Sequence, residues 1–219
     1  MTVKALVFDA YGTLLDVHAA MAAHADRLPP DWERISAEWR QKQIEYTWVR
    51  TLTGAGQHKD FWTLTQEALA FVAERHGITD PAVIAALLDS YRHLRAYPDA
   101  REALQAARSR GVKTAILSNG TPGMLADAVG SAGLTPLLDV VLSVESVGAF
   151  KTDRRAYTMM TDHFGGPARE IGFVSSNAWD AYAAGVFGCR VYWVNRSGQP
   201  DEYGLRGSTT EITSLAALG

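Results

Sequence analysis

Short apolar segments recur along the 219-residue chain, and they constrain its fold more than any other feature. Each is about as long as a strand, and continuous apolar runs of this length are typical of strands buried on both faces of a parallel sheet. Helical patterns separate the last four segments, which predicts βαβ units. We therefore expect an α/β protein with a doubly wound parallel sheet, that is, a Rossmann-like core. The five segments are KALVF, VKTAIL, LDVVLSV, EIGFV and RVYWV.

A long, almost wholly helical interval separates the first segment from the second. Its residues 32–52, 61–77 and 80–94 carry apolar side chains at helical spacing. The stretches LPPDWE and TDPAV supply the Pro and Asp that are common where helices begin. We predict a helical cap domain at residues 16–95, inserted into a catalytic core formed by residues 1–15 and 96–219.

Charge and composition exclude several classes of partner. The net charge is −3 and there is no basic run, so we do not expect a nucleic-acid partner. The apolar segments are far shorter than the roughly 20 residues that span a membrane. The single cysteine, Cys189, cannot form an intrachain disulfide or an all-cysteine metal site. We expect a soluble, cytoplasmic protein that binds no membrane.

Four groups of polar residues follow successive apolar segments. Taken singly, each group has an ordinary interpretation, as turn residues, a surface lysine or the first turn of a helix. Because ligands of doubly wound sheets bind beyond the carboxyl ends of the strands, the groups together indicate a functional site. They are Asp9 with Thr13, Ser118 with Asn119, Lys151, and Ser175 with Asn177 and Asp180.

These residues resemble the signature of the haloacid dehalogenase superfamily. That signature has an aspartate nucleophile, a Ser or Thr after the second strand, a lysine and a terminal acidic group. Its phosphatase branch reads D-x-D-x-T at the first motif, where this chain reads Asp9-Ala10-Tyr11-Gly12-Thr13. The branch also has Gly-Asp at the last motif, where this chain has Ser175-Ser176. Two carboxylates of the phosphatase pattern are therefore replaced, one by Tyr11 and one by Ser176.

The two replacements change the chemistry that the motifs can carry. A phosphatase needs Mg²⁺, which prefers hard oxygen ligands, and an acid that protonates the leaving alkoxide. Ser176 removes one metal-site carboxylate, and Tyr11 removes the obvious proton donor. A halide ion leaves without a proton, so the pattern favours cleavage of a carbon–halogen bond. We expect neither a metal nor another cofactor.

A narrower resemblance, to the L-2-haloacid dehalogenases, extends over nearly the whole chain. It rests on WRQKQIEYTWVRTLTG at residues 39–54 and on the motifs AYGTLLDVH, LSNGTP and SSNAWDA. It implies conversion of short L-2-haloacids to D-2-hydroxyacids, in which Asp9 attacks the α-carbon with inversion and water then hydrolyses the aspartyl ester. Family members usually have proline after the lysine, where this chain has Thr152. The implied catalytic residues are Asp9, Thr13, Lys151, Ser175, Asn177 and Asp180.

The resemblance also implies a set of side chains around the substrate and the departing halide. Arg40, in the WRQKQ run, corresponds to the family's substrate arginine and contacts the halide with Asn119, near Trp179. A cation is needed there in any case, because two carboxylates about 4 Å apart repel by roughly 4 kcal/mol at an effective dielectric constant near 20. The apolar members of the set can also be read as ordinary core residues. The set is Tyr11, Arg40, Ile44, Phe61, Ser118, Asn119, Tyr157 and Trp179.

Several properties and two other functions stay open at this point. The sequence does not fix the preferred halogen, the chain length, the physiological substrate, or whether the C–F bond of fluoroacetate is cleaved. The resemblance implies a homodimer formed through the helical region, around residues 39–71. A phosphohydrolase of the same superfamily would show Mg²⁺-dependent activity. A non-catalytic binding protein is expected to lack one of Asp9, Lys151 or Asp180, and all three are present.

Overall fold

A computed structural model of the protein describes residues 3–54 and 58–219. Within these ranges six strands form one parallel sheet in the order β3-β2-β1-β4-β5-β6, so the predicted Rossmann-like α/β fold is confirmed. The strands are β1 (Ala5–Phe8), β2 (Lys113–Ser118), β3 (Val140–Ser143), β4 (Ile171–Ser175), β5 (Arg190–Val194) and β6 (Thr210–Ile212). The sequence analysis missed β6, because this three-residue strand has two exposed polar residues and no apolar run.

Helices flank the sheet and fill the interval between β1 and β2. α5 packs against β2, and α8 packs against β4 and β5. The helices are α1 (Ala19–Ala22), α2 (Trp32–Leu52), α3 (Phe61–Arg75), α4 (Pro81–Arg92), α5 (Ala100–Ser109), α6 (Pro122–Ser131), α7 (Arg154–Phe164), α8 (Ala178–Phe187) and α9 (Leu205–Ser208).

The strand order reverses at β1, which lies in the middle of the sheet. The chain runs outward from β1 through β2 to β3, and then crosses back to place β4 on the other side of β1. Every residue of β1 and β4 is buried, and the two strands pair in parallel from Ala5 with Ile171 to Phe8 with Val174. In open α/β sheets the crevice beyond such a switch point binds the ligand. The fold therefore places the ends of β1 and β4 at the expected binding edge.

The helices between β1 and α5 begin where the sequence indicates. Asp60 accepts a hydrogen bond from the backbone N–H of Thr63 at the start of α3, and Asp80 does the same for Ala82 at the start of α4. α2 packs along α3 and contributes a buried face that includes Trp39. No helix of the described ranges is both long and apolar enough to cross a bilayer.

The chain leaves and re-enters the sheet region at adjacent points. The backbone N–H of Tyr97 donates to the carbonyl of Leu14 at 2.9 Å, and that of Asp16 donates to Arg95 at 3.0 Å. A bridge between Leu15 and Ala96 lies between these bonds. The division into a core of residues 1–15 and 96–219 and a cap of residues 16–95 stays a prediction.

Candidate active site

The turn after β1 presents the Asp9 carboxylate at the edge of the sheet. The backbone N–H of Asp9 still pairs with Val174 of β4 at 2.9 Å, and the chain then turns at Gly12, whose φ of 92° favours glycine. Thr13 Oγ1 donates to Asp9 Oδ2 at 3.2 Å and accepts from the N–H of Ser176 at 2.9 Å. The turn thus fixes the carboxylate against the loop after β4.

Lys151 lies between two carboxylates. Its Nζ is 3.1 Å from Asp9 Oδ1 and 2.8 Å from Asp180 Oδ2, and only 1% of the lysine side chain is exposed. Burial alone would lower the pKa of Lys151, but the negative charges of Asp180 and Asp9 raise it above its usual value. The lysine is therefore an ammonium ion, and the interpretation of Lys151 as a surface residue is wrong.

Asp180 is held on both of its oxygens. Tyr157 donates to Oδ1 at 2.6 Å, and Ser175 Oγ donates to Oδ2 at 3.3 Å, beside Lys151. Burial and the charge of Asp9 raise the pKa of Asp180 to about 6, against the lowering effect of Lys151. Burial and the charge of Asp180 raise the pKa of Tyr157 well above its usual range, so the phenol stays protonated and donates.

Two asparagines extend the network. Asn177 Nδ2 donates to Asp9 Oδ2 at 2.7 Å and to the carbonyl of Tyr11 at 3.2 Å. Asn119 Oδ1 accepts from the backbone N–H of Lys151 at 2.9 Å, which leaves the amide nitrogen of Asn119 as its donor to an anion. Ser118 Oγ accepts from the N–H of Gly120 at 3.1 Å and so shapes the turn after β2 rather than contacting Asp9.

Arg40 and Tyr11 bring two unused donors to the site. Arg40 Nη2 donates to the carbonyl of Tyr11 at 3.1 Å. Arg40 Nη1 and the Tyr11 hydroxyl are buried and have no hydrogen-bond partner within the described ranges. Burial raises the pKa of Tyr11 well above its usual range, so its hydroxyl remains a donor. Donors that are buried without a partner are costly, and an anionic ligand would satisfy both.

The apolar residues of the predicted set divide into two places. Phe61 packs against Tyr11 with ring centroids 5.9 Å apart, and Ile44 is buried on α2. Trp179 instead meets Trp48 edge to face, with centroids 5.7 Å apart. Both tryptophans line a cavity of about 550 Å³ whose wall also includes Thr152. Phe61 therefore approaches the Asp9 turn through Tyr11, whereas Trp179 borders the cavity near Lys151.

The structure also shows a buried layer behind Tyr11 that the sequence analysis missed. The Tyr91 ring stacks on Tyr11 at a centroid distance of 5.7 Å, and its hydroxyl donates to Gln43 Oε1 at 3.1 Å. Gln43 Nε2 in turn donates to Thr65 Oγ1 at 3.1 Å. The available signal was Gln43 itself, a polar residue on the apolar face of α2.

The predicted site residues thus fall into three groups. Seven form one hydrogen-bonded network around Asp9, and five others approach it through Tyr11, Arg40 or the turns. Their chemical roles stay predictions. The network comprises Asp9, Thr13, Lys151, Tyr157, Ser175, Asn177 and Asp180; Tyr11, Arg40, Phe61, Ser118 and Asn119 adjoin it; Ile44 is buried on α2, and Trp179 borders the cavity that Thr152 also lines.

Comparison with known proteins agrees with this geometry. The model of the haloacid dehalogenase-like hydrolases matches residues 3–188. The chain is 43% identical to (S)-2-haloacid dehalogenase 1 of Pseudomonas sp. strain CBS-3 over 99% of this chain and 95% of that protein. It is also 43% identical to (S)-2-haloacid dehalogenase 4A of Burkholderia cepacia, over 99% and 94% of the two chains. The chain therefore belongs to the haloacid dehalogenase-like hydrolase family.

A solved structure adds a chemical observation on a relative. The L-2-haloacid dehalogenase of Xanthobacter autotrophicus, determined with chloropropionic acid covalently bound, superposes with a TM-score of 0.86 at 35% identity. The match covers 99% of this chain and 97% of that one. The resemblance to L-2-haloacid dehalogenases that the motifs predicted is confirmed.

Proposed function

We propose that this protein is a hydrolase that cleaves the carbon–halogen bond of short L-2-haloacids and releases D-2-hydroxyacids. The observation that carries the proposal is the environment of Asp9. Its carboxylate lies at the ligand edge of the sheet, where Lys151, Thr13 and Asn177 hold it. Tyr11 stands two residues later, at the position where the phosphatase pattern has its second aspartate. Such a site offers a nucleophile, and it has tyrosine in place of the proton-donating acid of the phosphatase pattern.

The first step is attack by Asp9 on the substrate's α-carbon. A C–O bond forms as the C–halogen bond breaks, the electron pair leaves with the halide, and the carbon inverts, so an L-2-haloacid yields an ester of the D configuration. No proton is required. The donors that receive the growing charge on the halide are Arg40 and the amide nitrogen of Asn119, with Tyr11 and Trp179 beside them.

Positive charge makes the encounter of two anions possible. Substrate and Asp9 both carry carboxylates, and Lys151 and Arg40 supply two cations near them. Lys151 places its ammonium group 3.1 Å from Asp9 Oδ1, and Nη1 of Arg40, which has no hydrogen-bond partner among the described residues, is available to the substrate. Ser118 completes the substrate's binding turn, and the apolar side chains of Ile44 and Phe61 exclude water from this step.

The second step is hydrolysis of the aspartyl ester. Asp180 accepts a proton from the water that attacks the carboxyl carbon of Asp9. The bond between that carbon and the ester oxygen then breaks, Asp180 returns the proton to the departing oxygen, and the hydroxyacid leaves with the oxygen that had been Asp9's. The second proton of the water is released to solvent as the Asp9 carboxylate is regenerated. A pKa of about 6 leaves Asp180 mostly ionised at neutral pH and still basic enough for this role. Asn177 and Thr13 hold the ester carbonyl, and Tyr157 and Ser175 hold Asp180.

The donor set favours this reaction over phosphate-ester hydrolysis. The two carboxylates that could share a cation, those of Asp9 and Asp180, are already bridged by the Lys151 ammonium. Ser176 adds only a neutral hydroxyl where the phosphatase pattern has a carboxylate. Because the superfamily signature includes this lysine in phosphatases as well, the difference lies in the acidic residues: the metal-site carboxylate and the proton-donating acid of the phosphatase pattern are replaced by Ser176 and Tyr11. In the proposed mechanism no step uses a metal or another cofactor.

The covalent complex of the Xanthobacter relative supports an ester intermediate, and the names of the relatives support 2-haloacids as substrates. We include fluoroacetate as a substrate to be tested, because the unpartnered donors of Arg40 and Tyr11 suit a small, strongly accepting halide. A cytoplasmic location and a homodimer formed through α2 and α3 are also part of the proposal. Val49, Leu52 and Phe71 expose apolar side chains on these two helices.

Halide release from each enantiomer of 2-chloropropionate, measured in EDTA, tests the function. We expect chloride from the L-enantiomer alone, with D-lactate as product, and a loss of rate on the order of 10⁴ or more in Asp9→Asn. Chloride from neither enantiomer, followed by failure on fluoroacetate and longer haloacids, would contradict the proposal. Mg²⁺-dependent release of phosphate from phosphate esters would then identify a phosphohydrolase. Turnover of neither haloacids nor phosphate esters would indicate a binding protein.

A further inference from the structure

A second polar cluster lies at the carboxyl end of β5, beside the turn of residues 9–13 that carries Asp9, the nucleophile turn. Arg196 forms a two-armed ion pair with Asp99, with Nη1 to Oδ2 at 2.6 Å and Nη2 to Oδ1 at 3.0 Å. Only 22% and 15% of the two side chains are exposed. A bidentate pair of this kind fixes direction as well as distance. The guanidinium therefore has one defined orientation.

The same guanidinium contacts the backbone of the nucleophile turn. Arg196 Nη2 donates to the carbonyl oxygen of Thr13 at 3.2 Å. The side chain of Thr13 donates to Asp9 Oδ2 at 3.2 Å and accepts from Ser176 N–H at 2.9 Å. Arg196 thus holds Thr13 through the backbone carbonyl of Thr13, and the Thr13 side chain is hydrogen-bonded to Asp9.

The ion pair is itself anchored on several segments of the fold. The guanidinium lies 4.3 Å from the centroid of the Tyr97 ring, and Tyr97 N–H bonds to the carbonyl of Leu14, which follows Thr13. Asp99 Oδ2 also accepts from Ser214 Oγ and from Leu215 N–H, both at 2.8 Å. The cluster therefore joins the nucleophile turn to the start of α5, the end of β5 and the C-terminal segment.

We propose that Arg196, held by Asp99, is a positioning residue that directs the Asp9 carboxylate through Thr13. The inference rests on the proposed function, since it concerns the attack of Asp9 on carbon. Loss of the guanidinium frees the Thr13 carbonyl and, with it, the hydrogen bond that orients Asp9 Oδ2. In-line attack depends steeply on alignment, so the rate of ester formation falls. The groups proposed to bind the substrate are not altered.

The test compares Arg196→Gln with wild type on L-2-chloropropionate. We expect ester formation, measured in a single turnover, and kcat to fall at least about tenfold. KM is expected to stay within about twofold, because the substrate contacts remain. Arg196→Lys retains an ion pair with Asp99 but lacks the two-armed fork, so it is expected to recover part of the rate. The matched control is Arg206→Gln, which removes an exposed ion pair with Glu211 and is expected to keep wild-type kinetics.

The possible outcomes separate this inference from the function on which it rests. If Arg196→Gln melts earlier but keeps the wild-type kcat, Arg196 is only structural and the inference is overturned. If Arg196→Gln does not fold, Arg196→Lys and Asp99→Asn carry the test, and wild-type rates in both would overturn it. No halide from the wild-type protein would contradict the proposed function, and the inference with it. If the wild-type protein releases halide and the variants of Arg196 and Asp99 release it equally fast, the inference is contradicted but the proposed function is not.

Discussion

At the scale of single residues, the site is organised by one buried cation shared between two carboxylates. Lys151 contacts both Asp9 and Asp180, and all three side chains are nearly inaccessible to water. A buried charge is tolerated only when it is paired, so each member depends on the others. The arrangement holds the Asp9 carboxylate beside a cation, and burial together with the charge of Asp9 raises the pKa of Asp180 to about 6.

Removing the cation should damage both stability and catalysis. We expect Lys151→Met to lower the free energy of unfolding by about 3–5 kcal/mol, because it leaves two buried carboxylates without the cation that they share. Halide release should fall on the order of a hundredfold or more, since the charge that offsets the two anions is lost. Chemical denaturation and chloride release measure the two effects. Lys113→Met, which removes an exposed pair with Asp139, is the control, and an equal effect of both variants would contradict the role of Lys151.

The raised pKa of Asp180 predicts the pH dependence of ester hydrolysis. Only the ionised carboxylate accepts a proton, so the rate should be level above pH 7. It should then fall about tenfold for each pH unit below a pKa of about 6. Burst-phase and steady-state chloride release at several pH values separate ester formation from hydrolysis. A hydrolysis rate that stays constant down to pH 4.5 would show that Asp180 is not the base.

At the scale of elements, the turn after β2 fits closely against the turn after β1. A Cβ on Gly120 would lie 2.8 Å from a ring carbon of Tyr11 and 3.3 Å from a methyl of Leu125. Tyr11 cannot yield easily, because its ring is stacked on Tyr91 and also contacts the tilted ring of Phe61. The turn that carries Ser118 and Asn119 is thereby packed against the turn that carries Asp9.

This packing makes a single methyl group a sensitive probe. We expect Gly120→Ala to destabilise the protein by about 1–3 kcal/mol, since the added carbon overpacks a rigid site. It should also reduce halide release by displacing Tyr11. Gly123→Ala is the matched control: a Cβ there meets nothing within 4 Å, in the first turn of α6, and a small gain of up to about 1 kcal/mol is expected. Thermal melts of both variants measure the change in stability. A melting temperature of Gly120→Ala equal to that of the wild type would contradict the close fit.

The elements that could be predicted from the sequence have a continuous apolar pattern, and those that could not be predicted lack one. The apolar runs and helix starts identified five strands and the three long helices, because burial on both faces leaves a continuous signal. β6 was not predicted, because an edge strand of three residues has no continuous apolar pattern. The residues at strand ends were found through the motifs, whereas the Tyr91–Gln43 layer and the Arg196–Asp99 pair join residues 48 and 97 positions apart. Contacts of that separation depend on the fold and have no local pattern.

At the scale of the whole molecule, the exposed apolar side chains of α2 and α3 bear on the proposed dimer. Val49, Leu52 and Phe71 are 53%, 85% and 40% exposed on this helix pair. Covering them with a second copy would remove apolar surface from water. The same pair carries Arg40 and Phe61, which contact Tyr11, so association would also support the helices that hold these two side chains.

Association through this face is directly measurable. We expect the wild-type protein to sediment at twice the chain mass, and Phe71→Glu to shift it towards the monomer, because burying a carboxylate at an apolar interface is costly. Val186→Glu, at an apolar residue of α8 that is 66% exposed, should leave the mass unchanged. Sedimentation at the single-chain mass over the whole concentration range would contradict the dimer.

The central claim is that the Asp9 carboxylate, rather than water, attacks the substrate's carbon. A single turnover in oxygen-18 water, with enzyme in excess over L-2-chloropropionate, tests it most directly. If Asp9 forms the ester, the lactate carries unlabelled oxygen at C2 and the label is found in the Asp9 carboxylate by peptide mass. Labelled lactate from that first turnover, with unlabelled Asp9, would show direct attack by water and contradict the account.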